Sequence, residues 1–214
     1  MKHHALPIAL AAVVATLTAC GGGGGEGAPT DFTTKYVGTW KTGCYTNGIV
    51  KDATTAGNAN VTDAVTLTRV NESNMTAAFV QTVYASTDTN CAATPLGTIE
   101  RTGLSGGAFS AGASGIKSSN GPNKISVDGT TKIGTDTVEQ ITTDYPALTN
   151  TLPSTGTTTA GRISINLADY QAAKEKNIVF QTGNKFTLGQ PNASAYPTSL
   201  GTTNGFIYTK QTSN

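Results

Sequence analysis

At 214 residues, with 14 basic residues against 13 acidic ones and a formal charge of +1, the chain carries no electrostatic footprint for nucleic acid or for an anionic membrane surface. Charged residues are only 13% of the chain, while 25 glycines and a background of Thr, Ser, Ala and Asn describe a polar, turn-rich protein. It is long enough to bury a core of its own without metals.

The N-terminal stretch comes first in the chain and sets the compartment. Met1-Lys2-His3-His4 is a short basic start, followed by an apolar run of about a dozen residues, Ala5 to Thr16, with Pro7 inside it. A membrane-spanning helix needs about 20 apolar residues, so this run reads as a secretory signal. Leu17-Thr18-Ala19-Cys20 then resembles the lipobox of bacterial lipoprotein signal peptides. That resemblance implies cleavage before Cys20, a thioether from its thiol to diacylglycerol, and acylation of the freed amine. Two or more acyl chains hold a protein stably on a bilayer. The membrane is therefore an expected partner through the lipid, and Gly21 after the cysteine is compatible, in that family, with export to the outer membrane. The expected organisation is a signal peptide at 1–19, the lipidated cysteine and a Gly-rich tether at 20–33, and a single β-domain at 34–214.

Cleavage would remove Lys2, His3 and His4, leaving 13 basic against 13 acidic residues and no histidine. The usual general base of a Ser or Cys triad and the commonest transition-metal ligand go with them. With Cys20 lipidated, Cys44 and Cys91 are the thiols that remain in an oxidising compartment, and a disulfide between them is expected. A nucleophilic or metal-binding cysteine is the alternative, and it would lack a histidine partner.

Within the domain, apolar residues recur at alternate positions. Strands are predicted at Val37–Tyr45, Val61–Val70, Met75–Ser86, Leu96–Leu104, Ile125–Val127, Val138–Tyr145 and Arg162–Asn166. Ile178–Gln181 and Lys185–Leu188 flank a Gly-containing turn and predict a hairpin, and Phe206–Lys210 predicts a closing strand. Leu167–Lys176 consists of good helix formers with Asn166 placed as a cap, which predicts one short helix near the C-terminal end. Ser105–Pro122 and Thr149–Gly161 read as long loops.

Gly38-Thr39-Trp40 near the start of the domain resembles the Gly-x-Trp signature on the first strand of lipocalin-like barrels. The resemblance implies an indole packed across the barrel end against a basic side chain from a late strand, for which Lys210 is the candidate. The lipobox and tether, Val37-Gly38-Thr39-Trp40 leading to Gly43-Cys44, Asn166-Leu167, Gly183-Asn184, Tyr196-Pro197-Thr198-Ser199-Leu200 and Tyr208-Thr209-Lys210 together resemble a group of proteobacterial lipoproteins to which no activity is attached.

Catalytic patterns are weak. Ser114-Gly115-Ile116-Lys117 and Lys41-Thr42-Gly43 match two motifs of penicillin-binding enzymes, but in the wrong order along the chain. Glu100, Asp136, Glu139 and Asp144 could form a carboxylate pair for glycoside chemistry, and nothing in the sequence selects two of them. Asp128-Gly129 reads as a turn dipeptide without the rest of a calcium loop. Tyr45, Tyr84, Tyr145, Tyr196 and Tyr208 are candidates to hold a sugar or an apolar ligand, or simply to fill the core. The expectation is an all-β, lipocalin-like antiparallel barrel of about eight strands on a lipid anchor, with no catalytic residues, cofactor or metal. Its function would be to bind a small apolar or carbohydrate ligand. The alternative is a structural or protein-interaction lipoprotein with no pocket and an envelope protein as partner.

Overall fold

Alternation with a period of two places one side chain of a strand in the core and the next in water, and it shapes most of this chain. The computed structural model describes residues 32–101, 109–110, 123–145, 157–160, 162–166 and 173–212. Among the described residues the elements in chain order are α1 (Phe32–Tyr36), β1 (Gly38–Thr42), β2 (Tyr45–Asp52), β3 (Gly57–Arg69), β4 (Asn74–Tyr84), β5 (Gly97–Arg101), β6 (Phe109–Ser110), β7 (Asn123–Ile133), β8 (Asp136–Tyr145), β9 (Thr157–Ala160), β10 (Ile163–Asn166), β11 (Ala173–Thr182), β12 (Lys185–Leu188), a 3-10 turn (Asn204–Phe206) and β13 (Ile207–Lys210). The protein is nearly all-β, and every strand pairing is antiparallel.

Eight strands close into a barrel-like ring. β1 pairs with β3, β3 with β4, β4 with β7, β7 with β8, β8 with β11, β11 with β12, β12 with β13, and β13 returns to β1. The other five described strands form an extension, made possible because β3 and β4 are 13 and 11 residues long and change partners part-way. β3 pairs with β1 through Ala64–Leu67 and with β2 through Gly57–Val61. β4 pairs with β7 through Asn74–Ala77 and with β5 through Phe79–Val83. β10 and then β9 follow β2, and β6 follows β5.

One face of the β3–β4 ribbon therefore serves two cores. Val65, Leu67, Met75 and Ala77 join Tyr36, Trp40, Ile125, Ile141, Val179, Phe186 and Tyr208 inside the ring. Ala59, Val61 and Val83 join Val50, Ile99, Ile163 and Ile165 in the extension. Lys41, Thr66 and Thr68 at outward positions of the ring are exposed. Ile178, at another outward position, is fully buried beside the chain that follows β12. No helix among the described residues is long and apolar enough to cross a membrane.

Four local expectations are corrected. Ala173–Lys176, expected at the end of a helix, is the start of β11 and pairs with β8 from Ala173↔Tyr145 onwards. There Lys174 Nζ lies 3.7 Å from Asp144, and the Lys176 and Asn192 main chains bond reciprocally. Tertiary pairing overrides helix propensity at these positions; Leu167–Ala172 lie outside the described residues, among which the helical piece near the C-terminus is the 3-10 turn. The strand expected over Val37–Tyr45 stops at Thr42, and Tyr45–Asp52 forms β2 instead. Its alternation is hidden by an irregularity between Thr46 and Lys51, where Asn47 Oδ1 accepts the Ile49 and Val50 amides at 2.8 and 3.2 Å. The expected loops Ser105–Pro122 and Thr149–Gly161 contain β6 and β9, and the rest of both lies outside the described residues. Asp128-Gly129 is no turn but sits within β7 at a bulge, where Gly129 takes φ +152°.

Candidate ligand-binding site

One end of the ring is closed by the N-terminal segment. Thr33 is fully buried, with its hydroxyl donating to Asn71 O at 2.9 Å and accepting from Arg69 Nε at 3.0 Å. Trp40 is fully buried on β1, and its indole N–H donates to Tyr36 O at 2.7 Å. Trp40 pairs across the strands with Lys210, whose ammonium lies 5.2 Å from the indole ring. Gly38, the first residue of the Gly-x-Trp motif, takes φ +125°, and a Cβ there would come within 3.2 Å of Lys210 Cε. Both facts favour glycine. Phe186 from β12 is the aromatic hub, at 4.8 Å from the Trp40 ring, 6.0 Å from Tyr36 and 4.7 Å, stacked, from Tyr208.

Glu139 on β8 is anchored at this end. It accepts the Tyr36 hydroxyl at 2.9 Å and forms an ion pair with Lys35. Burial, with the Glu139 charge beside it, pushes the Tyr36 phenol far above the ordinary tyrosine range, so it stays a hydrogen-bond donor.

Inside the ring lies a cavity of about 190 Å³. Val65, Leu67, Met75, Phe79, Ile125 and Ile141 form one wall, Val179, Phe186, Leu188 and Tyr208 the other, with Tyr36 among the lining residues. Gly189, Pro191, Gly205 and Phe206, from the two ends of the excursion between β12 and β13, complete the lining. Thr143 and Asn177 add neutral polar groups, and no charged side chain is among the described lining residues. A second hollow, formed by residues 190–199 of that excursion, comes from a single stretch of surface chain and has far less apolar wall to bury a ligand.

Between the two cores the inward stripe turns polar. Asp63 and Gln81 are direct cross-strand partners, and Gln81 Nε2 donates to Asp63 Oδ1 at 2.8 Å. Tyr45 OH donates to Asp63 Oδ2 at 2.5 Å, and the Asp63 amide donates to Thr42 Oγ1 at 2.8 Å. Burial pushes the Asp63 carboxyl above its ordinary value, against the hydrogen bonds from Tyr45 and Gln81. This layer is absent from the expectations above, although the sequence holds its signal. Val61-x-Asp63-x-Val65 and Phe79-x-Gln81-x-Val83 each place one polar residue in an otherwise apolar inward stripe.

The remaining candidates are dispersed. Cys44 and Cys91 form a disulfide that ties the β1–β2 connection to the segment between β4 and β5. Asp144 faces Lys174, Asp136 is exposed, and the Glu100 side chain, Tyr145 side chain, Ser114, Lys117 and Cys20 lie outside the described residues. Tyr208 lines the cavity, Tyr45 packs on the extension core, Tyr84 is half-buried, and Tyr196 is tied to Asp128 on the outer surface at 2.6 Å. Among the described residues no three His, Cys, Asp or Glu side chains gather as metal ligands would. Compared with known proteins, the chain matches no family model, no curated protein and no solved structure.

Proposed function

We propose that this chain is a lipid-anchored protein of the bacterial cell envelope that holds a small apolar molecule inside its ring of strands, as a binding module without catalysis. The observation that carries this reading is the cavity of about 190 Å³ walled by Val, Leu, Ile, Met and Phe side chains. An apolar cavity of about 150 Å³ stays dry and accepts benzene, so this volume suits a ligand of that order. Drug-sized ligands occupy roughly 300–1,000 Å³. A sugar would need many more polar partners than Thr143, Asn177 and two tyrosines provide, which favours the apolar ligand over the carbohydrate. Leu17-Thr18-Ala19-Cys20 supports the anchor, and Gly21 supports the outer membrane as its site.

Native mass spectrometry of the purified protein, exposed to envelope extracts and then to benzene-sized probes, tests the reading. A retained or saturably bound small molecule is expected, with a rise in melting temperature as the ligand binds the folded state alone. A folded, disulfide-bonded protein that takes up no probe would overturn it and favour a structural role. The anchor is tested separately by labelled fatty-acid incorporation, which Cys20→Ala should abolish.

A further inference from the structure

Two polar side chains in the cavity wall carry donors that no described protein group accepts. Thr143 is 5% exposed and Asn177 7%, and both line the cavity. The Asn177 carboxamide is oriented by its own strand, because its Oδ1 accepts the Ile178 amide at 2.7 Å. That bond requires the oxygen, so the amide nitrogen is the end left over. Among the described residues neither the Asn177 amide nitrogen nor the Thr143 hydroxyl has a protein hydrogen-bond partner. Neither polar atom is sealed from solvent; both face the cavity, where water or a ligand can bond them.

The register brings these two groups to one place. Thr143 on β8 is opposite Glu175 on β11, and Asn177 is two residues further along β11 on the same inward face. Diagonal neighbours of this kind lie within roughly 7–8 Å across an antiparallel pair, close enough for one oxygen atom to meet both. The other described lining residues are hydrocarbon and aromatic. Two carboxylates share this face of β8 and β11: Glu139, held by Lys35 and the Tyr36 hydroxyl, and Glu175, directly opposite Thr143.

We propose that the cavity takes a neutral, mainly apolar molecule bearing one carbonyl or hydroxyl oxygen, which accepts hydrogen bonds from the Thr143 hydroxyl and the Asn177 amide. The proposal rests on the cavity being a ligand site, and it adds the chemical class of the ligand. A carboxylate is disfavoured, since no cationic side chain is among the described lining residues to offset its desolvation and Glu175 stands opposite Thr143.

The experiment compares acetophenone, 1-phenylethanol and ethylbenzene on the intact protein, its Thr143→Val variant, which keeps the shape and loses the hydroxyl, and its Thr143→Ser variant, which keeps the hydroxyl. A net hydrogen bond is worth about 0.5–1.5 kcal/mol, or roughly twofold to tenfold in affinity. Thr143→Val is expected to weaken the ketone and the alcohol by that factor, leave ethylbenzene unchanged, and be rescued by Thr143→Ser. The carbonyl stretch of bound acetophenone in the unmodified protein should lie below its position in an apolar solvent, a readout that needs no variant to fold. If all three ligands bind but the carbonyl band keeps its apolar-solvent position, or Thr143→Val shifts all three affinities alike, the ligand class is wrong and the cavity reading stands. A water held permanently by Thr143 and Asn177 would give that result. If none of the three binds, the cavity reading falls and this inference falls with it.

Discussion

The ring and the extension share one ribbon, β3–β4, and bury the same kinds of side chain, yet they are closed in different ways. The ring has no free edge, because its eighth pairing returns to β1, and its interior is organised by aromatic contacts around Phe186. The extension is an open sheet whose described edges are β6 and β9, and it is fastened by point ties instead. The Cys44–Cys91 disulfide is one. Asp52 is another, fully buried, accepting from Arg162 at 3.0 Å, from the Thr54 hydroxyl at 2.7 Å and amide at 3.1 Å, and from the Ser86 amide at 3.4 Å. A closed hydrogen-bond ladder can surround a cavity and remain intact, whereas an open sheet relies on filling and fastening its core.

The largest effect that separates the two regions should come from Phe186→Ala. Removing a buried phenylalanine costs about 3–5 kcal/mol, read from urea unfolding, and the larger cavity should admit bulkier apolar probes than the native one. Replacing Cys44 and Cys91 by serine comes next, since the loop closed by a separation of 47 residues is worth about 4 kcal/mol in the chain-entropy model. That change should raise amide exchange in β2, β5 and β10 while leaving β8, β11 and β12 protected. Equal loss of protection in both regions would show that the extension has no independence.

Acid should move two buried carboxylates in opposite directions. Burial alone would raise the Asp52 carboxyl, but hydrogen bonds from the Thr54 hydroxyl and amide, the Ser86 amide and the Arg162 charge hold it below its ordinary value. Its contribution is therefore present above the unfolded-state carboxylate range and is lost as pH falls through the lowered folded value. Asp63 is raised by burial, so its contribution is full at pH below the unfolded value and declines as pH rises towards the folded one. Lowering pH through the carboxylate range should destabilise the native protein relative to Asp52→Asn and stabilise it relative to Asp63→Asn. Denaturant midpoints of the three proteins between pH 3 and pH 7 check both signs, on the order of the unperturbed carboxylate range near 4. The smallest effect belongs to Lys210→Met, which removes the cation over Trp40 at an exposed site and should cost about 0.5–1 kcal/mol.

The ring was more legible in the sequence than the extension. Val65-x-Leu67, Met75-x-Ala77-x-Phe79 and Phe186-x-Leu188 alternate cleanly, and Gly183 at φ +57° marks the β11–β12 turn. The extension hides two of its strands: β2 breaks its alternation around Asn47-Gly48, and β9 is written in threonines that read equally well as loop. β5 and β10 fall within the strands expected at Leu96–Leu104 and Arg162–Asn166. The start of β11 misleads because Ala-Lys-Glu-Lys favours a helix in isolation, and only its pairing with β8 and Asn192 makes it a strand. The cavity was out of reach for a different reason. Which inward residues leave space between them depends on ring closure and shear, not on any one strand. Thr143 and Asn177 stood in the sequence as unremarkable polar residues until the register put them on the cavity wall.

The claim that the ring holds a small apolar ligand is tested most directly by filling the space. Val65 is 2% exposed and lines the cavity, so Val65→Phe places a ring where the ligand would sit, at a cost of about 1–3 kcal/mol for overpacking. The melting temperatures of the native protein and this variant would be followed as the benzene concentration is raised, with Trp40, the single tryptophan, reporting on the ring interior. The account predicts a saturable rise in melting temperature and a change in Trp40 emission for the native protein, and neither for Val65→Phe. The same rise in both proteins, or none in the native one, would contradict it.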